Sequence, residues 1–334
     1  MTSLDGKVVL ITGGTGSFGR IFVKKVLEDF NPRKVIVYSR DEYKHYWMQQ
    51  EFRKHLTKLR FFLGDVRDYQ RLLRAFDGVD YVVHAAALKQ VPILEYNPLE
   101  AVKTNIHGAE NVINAAIDTG VEKVIALSTD KAVYPVNLYG ATKMVAEKLF
   151  IAANVYSGAK KTRFAVVRYG NVAGSRGSVI PLFLRLVKSG KKELPITDTR
   201  MTRFWITLQE GVELVLKALR EAKGGEIYVP KIPSFKVVDL AKAICPECTF
   251  KIIGIRPGEK LHEVLVTSEE ARTTYEYRNH FVIYPQISWW RKGEIKEEKG
   301  KLLPENFVYS SDKNPQWLSI EDIQERLKQL EVMF

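Results

Sequence analysis

Between Ser128 and Lys143 the chain reads Ser-Thr-Asp-Lys-Ala-Val-Tyr-Pro-Val-Asn-Leu-Tyr-Gly-Ala-Thr-Lys, which sets an acid beside an amine and a Tyr-x-x-x-Lys pair within sixteen positions. If the segment from Leu138 onward is helical, Tyr139 and Lys143 share a face one turn apart. There the ammonium can favour a phenolate able to accept an alcohol proton. Asp130 and Lys131 follow the apolar run from Val124 to Leu127. They are expected at the carboxyl end of a buried strand, where open α/β sheets bind ligands.

A second group of residues points to what sits opposite that pair. Thr12-Gly-Gly-Thr-Gly-Ser-Phe-Gly19 follows a predicted strand and opens a predicted helix, the setting in which a glycine pattern cradles a dinucleotide pyrophosphate. Gly13, Gly16 and Gly19 allow the tight turn, the backbone approach and the helix packing, with Thr15, Ser17 and Phe18 around them. After the second strand the chain reads Tyr38-Ser-Arg-Asp-Glu-Tyr-Lys44. Ser39, Arg40 and Lys44 suit a 2′-phosphate and hence NADP, while Asp41 keeps NAD as the weaker alternative. Asp65 and Val66 close the third strand and should border the adenine. Ala85 and Ala86 should line the cofactor after the fourth.

The elements that must position these groups alternate regularly through the first 170 or so residues. Apolar runs at Val8 to Thr12, Val35 to Tyr38, Leu59 to Leu63, Tyr81 to His84, Val124 to Leu127 and Phe164 to Arg168 predict strands. Segments of 3.6 spacing between them, such as Phe18 to Asp29 and Leu99 to Thr119, predict crossover helices. That is an α/β chain with a Rossmann-type, doubly wound parallel sheet. Beyond Asn171 the pattern loosens into a smaller C-terminal substrate lobe with helices at Leu208 to Ala222 and Val237 to Ile244. A return of Glu226 to Val229 to the main sheet makes the division discontinuous: 1–171 with about 205–230 as the nucleotide domain, and 172–204 with 231–334 as the lobe.

Composition narrows the function classes. The chain has 334 residues, 46% hydrophobic and 27% charged, enough to bury a full core. No apolar run reaches the ~18 residues of a membrane span. The first strand begins almost at Met1, so a cytoplasmic protein without a signal peptide is expected. Cys245 and Cys248 are the two cysteines. No second pair completes a metal site, so they read as two ordinary thiols in a local turn. The net charge of +12 comes from basic residues spread without a dense block. That favours a field collecting small phosphorylated anions over a nucleic-acid surface.

The glycine loop and Tyr139-x-x-x-Lys143 resemble those of the extended short-chain dehydrogenase/reductases. The likeness narrows with His84-Ala-Ala-Ala-Leu-Lys-Gln-Val-Pro92, Ser128-Thr-Asp-Lys131, Arg168-Tyr-Gly-Asn-Val172, Gly174-Ser-Arg-Gly-Ser178, the run from Pro195 to Trp205, and Ile255-Arg-Pro-Gly-Glu-Lys-Leu-His-Glu263. Together these are similar to the inverting UDP-N-acetylglucosamine 4,6-dehydratases, which open the bacterial route to pseudaminic acid, a flagellin sugar.

That resemblance implies hydride removal from C4 of the sugar to NADP⁺, loss of water across C5 and C6, and hydride return to C6. It assigns the 4-hydroxyl proton to Tyr139, with Lys143 lowering the phenol's pKa and Thr129 bonding the same hydroxyl. Asp130 and Lys131 would divide the C5 and C6 proton transfers, with Lys131 as base. A neutral lysine at pH 7 lies about 3.4 pKa units, or roughly 4.6 kcal/mol, from its ordinary state. Lys143 and an oxidised nicotinamide are the cations expected to close that gap.

The same resemblance implies cofactor contacts from Thr104 and Val172, and contacts to UDP-N-acetylglucosamine from Lys89, Asn171, Arg176, Val179, Arg203 and Arg256. Lys89 stands near both ligands, and Thr104 and Asn105 would order the site. Trp289, Trp290 and Trp317 are expected to pack within the lobe. A homo-oligomer, with a hexamer as its suggested order, is implied as well. Retaining relatives show Asp-Glu where this chain has Asp130-Lys131, which favours inversion of C5. Val133-Tyr134 before Pro135 is also found in dehydratase/epimerases of capsule or lipopolysaccharide synthesis, although those often lack the tyrosine at position 139. A retaining or multi-step enzyme on the same class of sugar therefore stays open. From another class, a dinucleotide sensor without catalysis would not need Tyr139, Lys143, Asp130 and Lys131 together.

Overall fold

The computed structural model describes residues 4–175, 177–287 and 300–331. Six strands, β1 (Val8–Thr12), β2 (Lys34–Ser39), β3 (Leu59–Leu63), β4 (Tyr81–His84), β5 (Lys123–Thr129) and β6 (Arg163–Tyr169), stand parallel in the order 3-2-1-4-5-6. All five residues of β1 are buried. The run is continuously apolar because helices cover both faces of a doubly wound sheet. The order reverses between β1 and β4, which opens the ligand crevice at their carboxyl ends.

Ile227–Pro230 adds a parallel strand beside β6. His280–Ile283, Thr274–Glu276 and Lys301–Leu302 then extend the same sheet antiparallel. These last three fall in the stretch that sequence reading placed in the smaller lobe, yet their hydrogen bonds join them to the large sheet. Phe281, Val282 and Ile283 bury their side chains in its core.

The stretch from Leu99 to Thr119, predicted as one helix, is divided. An α-turn at Pro98–Ala101 leads into a π-helical segment, Val102–His107, before Gly108–Thr119 resumes α geometry. The wider turn buries Thr104 and Asn105, and such insertions recur at functional sites. Asn105 accepts from the Leu88 amide at 2.8 Å and donates to the Leu88 carbonyl at 2.9 Å. It therefore fastens the loop after β4.

Helix Leu138–Tyr156 starts with Asn137 as its cap, whose Oδ1 accepts from the Gly140 amide at 2.8 Å. A Cβ on Gly140 would lie 2.1 Å from the Lys131 carbonyl oxygen. Only glycine lets the helix press against the turn that carries Asp130 and Lys131. Beneath them Arg168, buried in β6, bonds Glu147 of this helix and Glu270 at 2.7 and 2.8 Å.

The smaller lobe has its own core, in which Ile180, Phe183, Leu194, Trp205, Phe235, Leu240 and Ile323 meet. Two short strand pairs, Glu193–Ile196 with Thr249–Ile252 and Thr202–Phe204 with Ser234–Lys236, frame it. Cys245 and Cys248 form a disulfide in this core, which corrects their reading as separate thiols. Cys245 ends helix Val237–Ile244, and the turn closed by the Cys248 amide on the Cys245 carbonyl brings the two Cα atoms to 5.3 Å, within bonding range. Among the described residues, no helix is long and apolar enough to cross a membrane.

Candidate active site

A cleft of about 870 Å³ runs along the carboxyl ends of the central strands, from Gly13 and Arg40 at one end to Arg256 and Glu263 at the other. At the first end the backbone itself is the binding surface. Gly13 takes a φ of +66°, and a Cβ there would meet Ala86 at 3.0 Å. On Gly19 it would stand 2.3 Å from the Gly14 carbonyl oxygen. Helix α1 (Ser17–Asp29) follows, with no side chain capping its start and no acid in its first turn. Its first amides and its dipole suit a pyrophosphate. Gly16, Ser17 and Phe18 line the cleft, and Thr15 Oγ1 lies 2.8 Å from Ser39 Oγ.

Asp41 is spent locally. Its carboxylate accepts from the Lys44 amide at 3.0 Å and pairs with Lys44 Nζ at 2.5 Å. The Lys44 side-chain bond, then the amide, holds it below the usual carboxylate range. Arg40 is half exposed, 3.7 Å from Asp65. Asp65 is gripped by Arg67 at 2.8 and 3.1 Å. Burial raises the Asp65 carboxyl, but the Arg67 bonds prevail and keep it low. Val66 packs against Gly108, where an added Cβ would come within 2.7 Å of it. After β4, the Ala85 and Ala86 amides bond Thr12, and Lys89 lies at the exposed rim. Thr104 lines the cleft with its buried hydroxyl lacking a protein partner.

The opposite end is built from charged side chains. The 3₁₀ turn Asp130–Ala132 follows β5. Asp130 is fully buried, and its Oδ1 accepts from Thr129 Oγ1 at 2.8 Å and from Lys131 Nζ at 3.1 Å. The same Nζ donates to Asn171 Oδ1 at 2.8 Å and lies 3.4 Å from Glu263 Oε1. Burial works to discharge Lys131, but the Asp130 and Glu263 carboxylates outweigh it and hold the amine above its ordinary value. The expected discharge of Lys131 by neighbouring cations is therefore absent from this arrangement.

Tyr139 and Lys143 also differ from expectation. Burial pushes the Tyr139 phenol up to about 12, with Lys131 and a Thr129 bond opposing and Asp130 adding. Lys143 donates to the Leu127 carbonyl at 2.6 Å. Its own pKa falls to about 8 through burial, which Glu147 opposes. Helical spacing does put both in the cleft, but burial dominates the phenol.

Among the residues expected at the sugar nucleotide, Lys89, Asn171, Val179, Arg203 and Arg256 line the cleft, as does Val172, expected at the cofactor. Arg203 is buried and committed: it donates to the carbonyls of Thr202 at 2.7 Å, Lys260 at 3.0 Å and Leu261 at 3.1 Å, and pairs with Glu263 at 3.7 Å. Arg256 is exposed at the mouth, 3.7 Å from Glu259. Arg176, Trp289 and Trp290 lie outside the described residues. Trp317, 40% exposed, bridges to Ser234 at the lobe's edge and does not line the cleft.

Sequence reading missed two members of this cluster. Glu263, 2% exposed, faces Lys131 and Arg203. Lys260 donates to the carbonyls of Val133 and Asp130 and lies 3.7 Å from Glu263. Both stood in the motif Ile255 to Glu263, but nothing in its spacing says that it folds onto a turn some 130 residues earlier.

Over residues 9–285 the chain matches the family described as polysaccharide biosynthesis protein. It is 54% identical over 330 residues, covering 97% of this chain and 98% of the relative, to the UDP-N-acetylglucosamine 4,6-dehydratase (inverting) of Campylobacter jejuni. It is 44% identical, covering 97% and 96%, to a protein of Rickettsia massiliae named UDP-glucose 4-epimerase. The X-ray structure of Pen from Bacillus thuringiensis superposes with a TM-score of 0.90 at 38% identity, covering 99% of this chain and 100% of that one. The glycine cradle, the Tyr139 and Lys143 pair on one helix and these full-length likenesses lead to one assignment: the chain belongs to the polysaccharide biosynthesis protein family, on a short-chain dehydrogenase/reductase fold, and has inverting UDP-N-acetylglucosamine 4,6-dehydratases among its relatives.

Proposed function

We propose that this protein is an NADP-dependent UDP-N-acetylglucosamine 4,6-dehydratase that inverts C5, a hydro-lyase with 5-epimerase activity. Its product would be UDP-2-acetamido-2,6-dideoxy-β-L-arabino-hex-4-ulose, and its place the first step toward pseudaminic acid in the cytoplasm, as a homo-oligomer. The observation that carries this reading is Lys131 lining the cleft beside Tyr139, its amine hydrogen-bonded to Asp130 buried just behind it.

NADP is favoured over NAD because the Asp41 carboxylate is held by Lys44, while Arg40 stands half exposed near Ser39. The glycine loop fits a dinucleotide, since only glycine at 13 and 19 permits the tight turn against Ala86 and the Gly14 carbonyl that brings the uncapped start of α1 to the cleft. Bound NADP⁺ supplies a hydride acceptor for C4, a donor for C6, and a positive charge near the phenol.

The protein's own groups handle the protons. Tyr139, bonded to Thr129, takes the 4-hydroxyl proton, which requires its phenol to drop from about 12 as the site fills. With C4 a ketone, the C5 proton becomes acidic. A proton passed from Lys131 to Asp130 across their 3.1 Å contact turns the ion pair into a neutral amine and a carboxylic acid. The amine takes the C5 proton and the acid protonates the departing 6-hydroxyl, which leaves as water. Excluding water from the closed cleft favours that neutral pair. As C6 regains its hydrogen, C5 takes a solvent-derived proton on its opposite face while Tyr139 releases to solvent the proton it took from the 4-hydroxyl, and the inverted sugar results. Arg256 at the mouth suits the pyrophosphate, whereas the Arg203 guanidinium serves the cluster.

The relatives named UDP-glucose 4-epimerase favour a second reading, a retaining or multi-step enzyme on a UDP-hexose. Incubation with UDP-N-acetylglucosamine in deuterated water, followed by NMR, separates them. An L-arabino 4-keto-6-deoxy sugar carrying deuterium at C5 is expected. A D-xylo product, or simple 4-epimerisation without water loss, rejects inversion.

A further inference from the structure

We infer that Glu263 is a positioning residue for the C5 proton transfer. Its carboxylate, 3.4 Å from the Lys131 amine, holds that amine together with Asp130 and stabilises the ammonium formed when Lys131 takes the C5 proton. The inference rests on the reaction proposed above and assigns a part in it to a residue that no motif chemistry singled out.

The carboxylate is preorganised. The Glu263 amide donates to Ser311 Oγ at 2.9 Å, and the Ser311 amide donates to the Glu263 carbonyl at 2.8 Å. Ser311 Oγ also lies 2.7 Å from Thr202 Oγ1. With the Arg203 guanidinium holding the two carbonyls just before His262, the backbone at 263 is clamped on both flanks. From that fixed backbone the side chain reaches Lys131, with Oε1 3.4 Å from Nζ.

Among the described residues, the charged groups facing Lys131 come from three segments. Asp130, on the same turn, and Glu263, from the small lobe's approach to the cleft, are the anions. Arg203 and Lys260 are the cations and Asn171 the neutral acceptor. Tyr139, on the adjacent helix, is the remaining titratable neighbour. When Lys131 passes its proton to Asp130, Glu263 is the carboxylate that stays charged beside the amine. Its second oxygen, buried and without a hydrogen-bond partner, lies 3.7 Å from Lys260. A fixed anion raises the proton affinity of the amine and makes it a stronger base for a weak carbon acid.

The test compares wild type, Glu263→Gln and Glu263→Asp on UDP-N-acetylglucosamine with saturating NADP⁺, reading kcat and KM against pH and the isotope effect from C5-deuterated substrate. Glu263→Gln is expected to lower the plateau kcat about 10- to 100-fold with KM little changed. It should also move the acid limb of kcat down by about one pH unit and enlarge the C5 isotope effect. Glu263→Asp, with its carboxylate one methylene further back, should move the same limb less in the same direction, and serves alone if the Gln variant does not fold. A limb that stays in place while kcat falls uniformly makes Glu263 a purely structural residue and overturns the inference. Failure of the wild type to release a 4-keto-6-deoxy sugar overturns the reaction itself, which is a separate result.

Discussion

The two ends of the cleft are built by opposite means. At the cradle, binding comes from main chain within eight consecutive residues, Thr12 to Gly19, and depends on side chains being absent. At the acid–base end it comes from Asp130, Lys131, Asn171, Arg203, Lys260 and Glu263, charged or polar groups drawn from four separate segments. A surface made of backbone tolerates little change in shape but carries little of the chemistry. A surface made of ionisable groups tolerates small shifts in shape, while each charge sets the behaviour of the others.

That contrast is most sharply tested by Lys131→Ala. It should lower kcat by about 10³-fold or more, the range of a lost acid–base group, while NADP affinity measured by fluorescence titration stays within twofold. Parallel loss of cofactor binding would mean that the two ends are not separable.

Next in size is Lys143→Met, read by chemical denaturation. The folded protein holds this amine near 8 against an ordinary value of 10.5. Between those values the unfolded chain binds more protons, so stability rises with pH across that window. Below it, the buried charge costs up to about 3 kcal/mol. The Met variant should therefore be more stable than wild type at pH 7, with the advantage fading by pH 10.5, and inactive throughout. An advantage that does not vary with pH would place the effect in packing instead.

Gly19→Ala puts a Cβ against the Gly14 carbonyl and should cost about 1 to 3 kcal/mol in folding or cofactor binding, visible as a lower Tm or a weaker NADP Kd. Arg40→Ala should be the mildest, weakening NADP about tenfold and leaving NAD unchanged. Equal losses for both dinucleotides would remove the 2′-phosphate assignment.

The same contrast explains what the sequence could disclose. The cradle was legible because its strand, glycines and helix are neighbours in the chain, and the strands β1 to β6 declared themselves by apolar runs, that of the edge strand β3 interrupted by Arg60. Tyr139 and Lys143 were legible through helical spacing, but the effect of burial on the phenol was not, since spacing carries no information on solvent access. Glu263 and Lys260 were hidden because their meaning arises only when the lobe folds over the turn at 130–132. Arg203 was placed at the sugar nucleotide by resemblance, but its bonds to carbonyls of a loop almost sixty residues later were not legible from its position in the chain. The helix ending at Ile244 was legible, but the disulfide was not, because two cysteines three apart do not by themselves specify the turn that brings their Cα atoms to 5.3 Å.

Ser311 reaches back from near the chain's end to hold Glu263 in place. A ribosome releasing this protein must therefore complete nearly all of it before the amine at 131 acquires its full set of neighbours, whereas the glycine cradle has its partners once the chain has passed Ala86. Shortened versions ending ahead of 311 should thus retain coenzyme capture longer than they retain proton transfer.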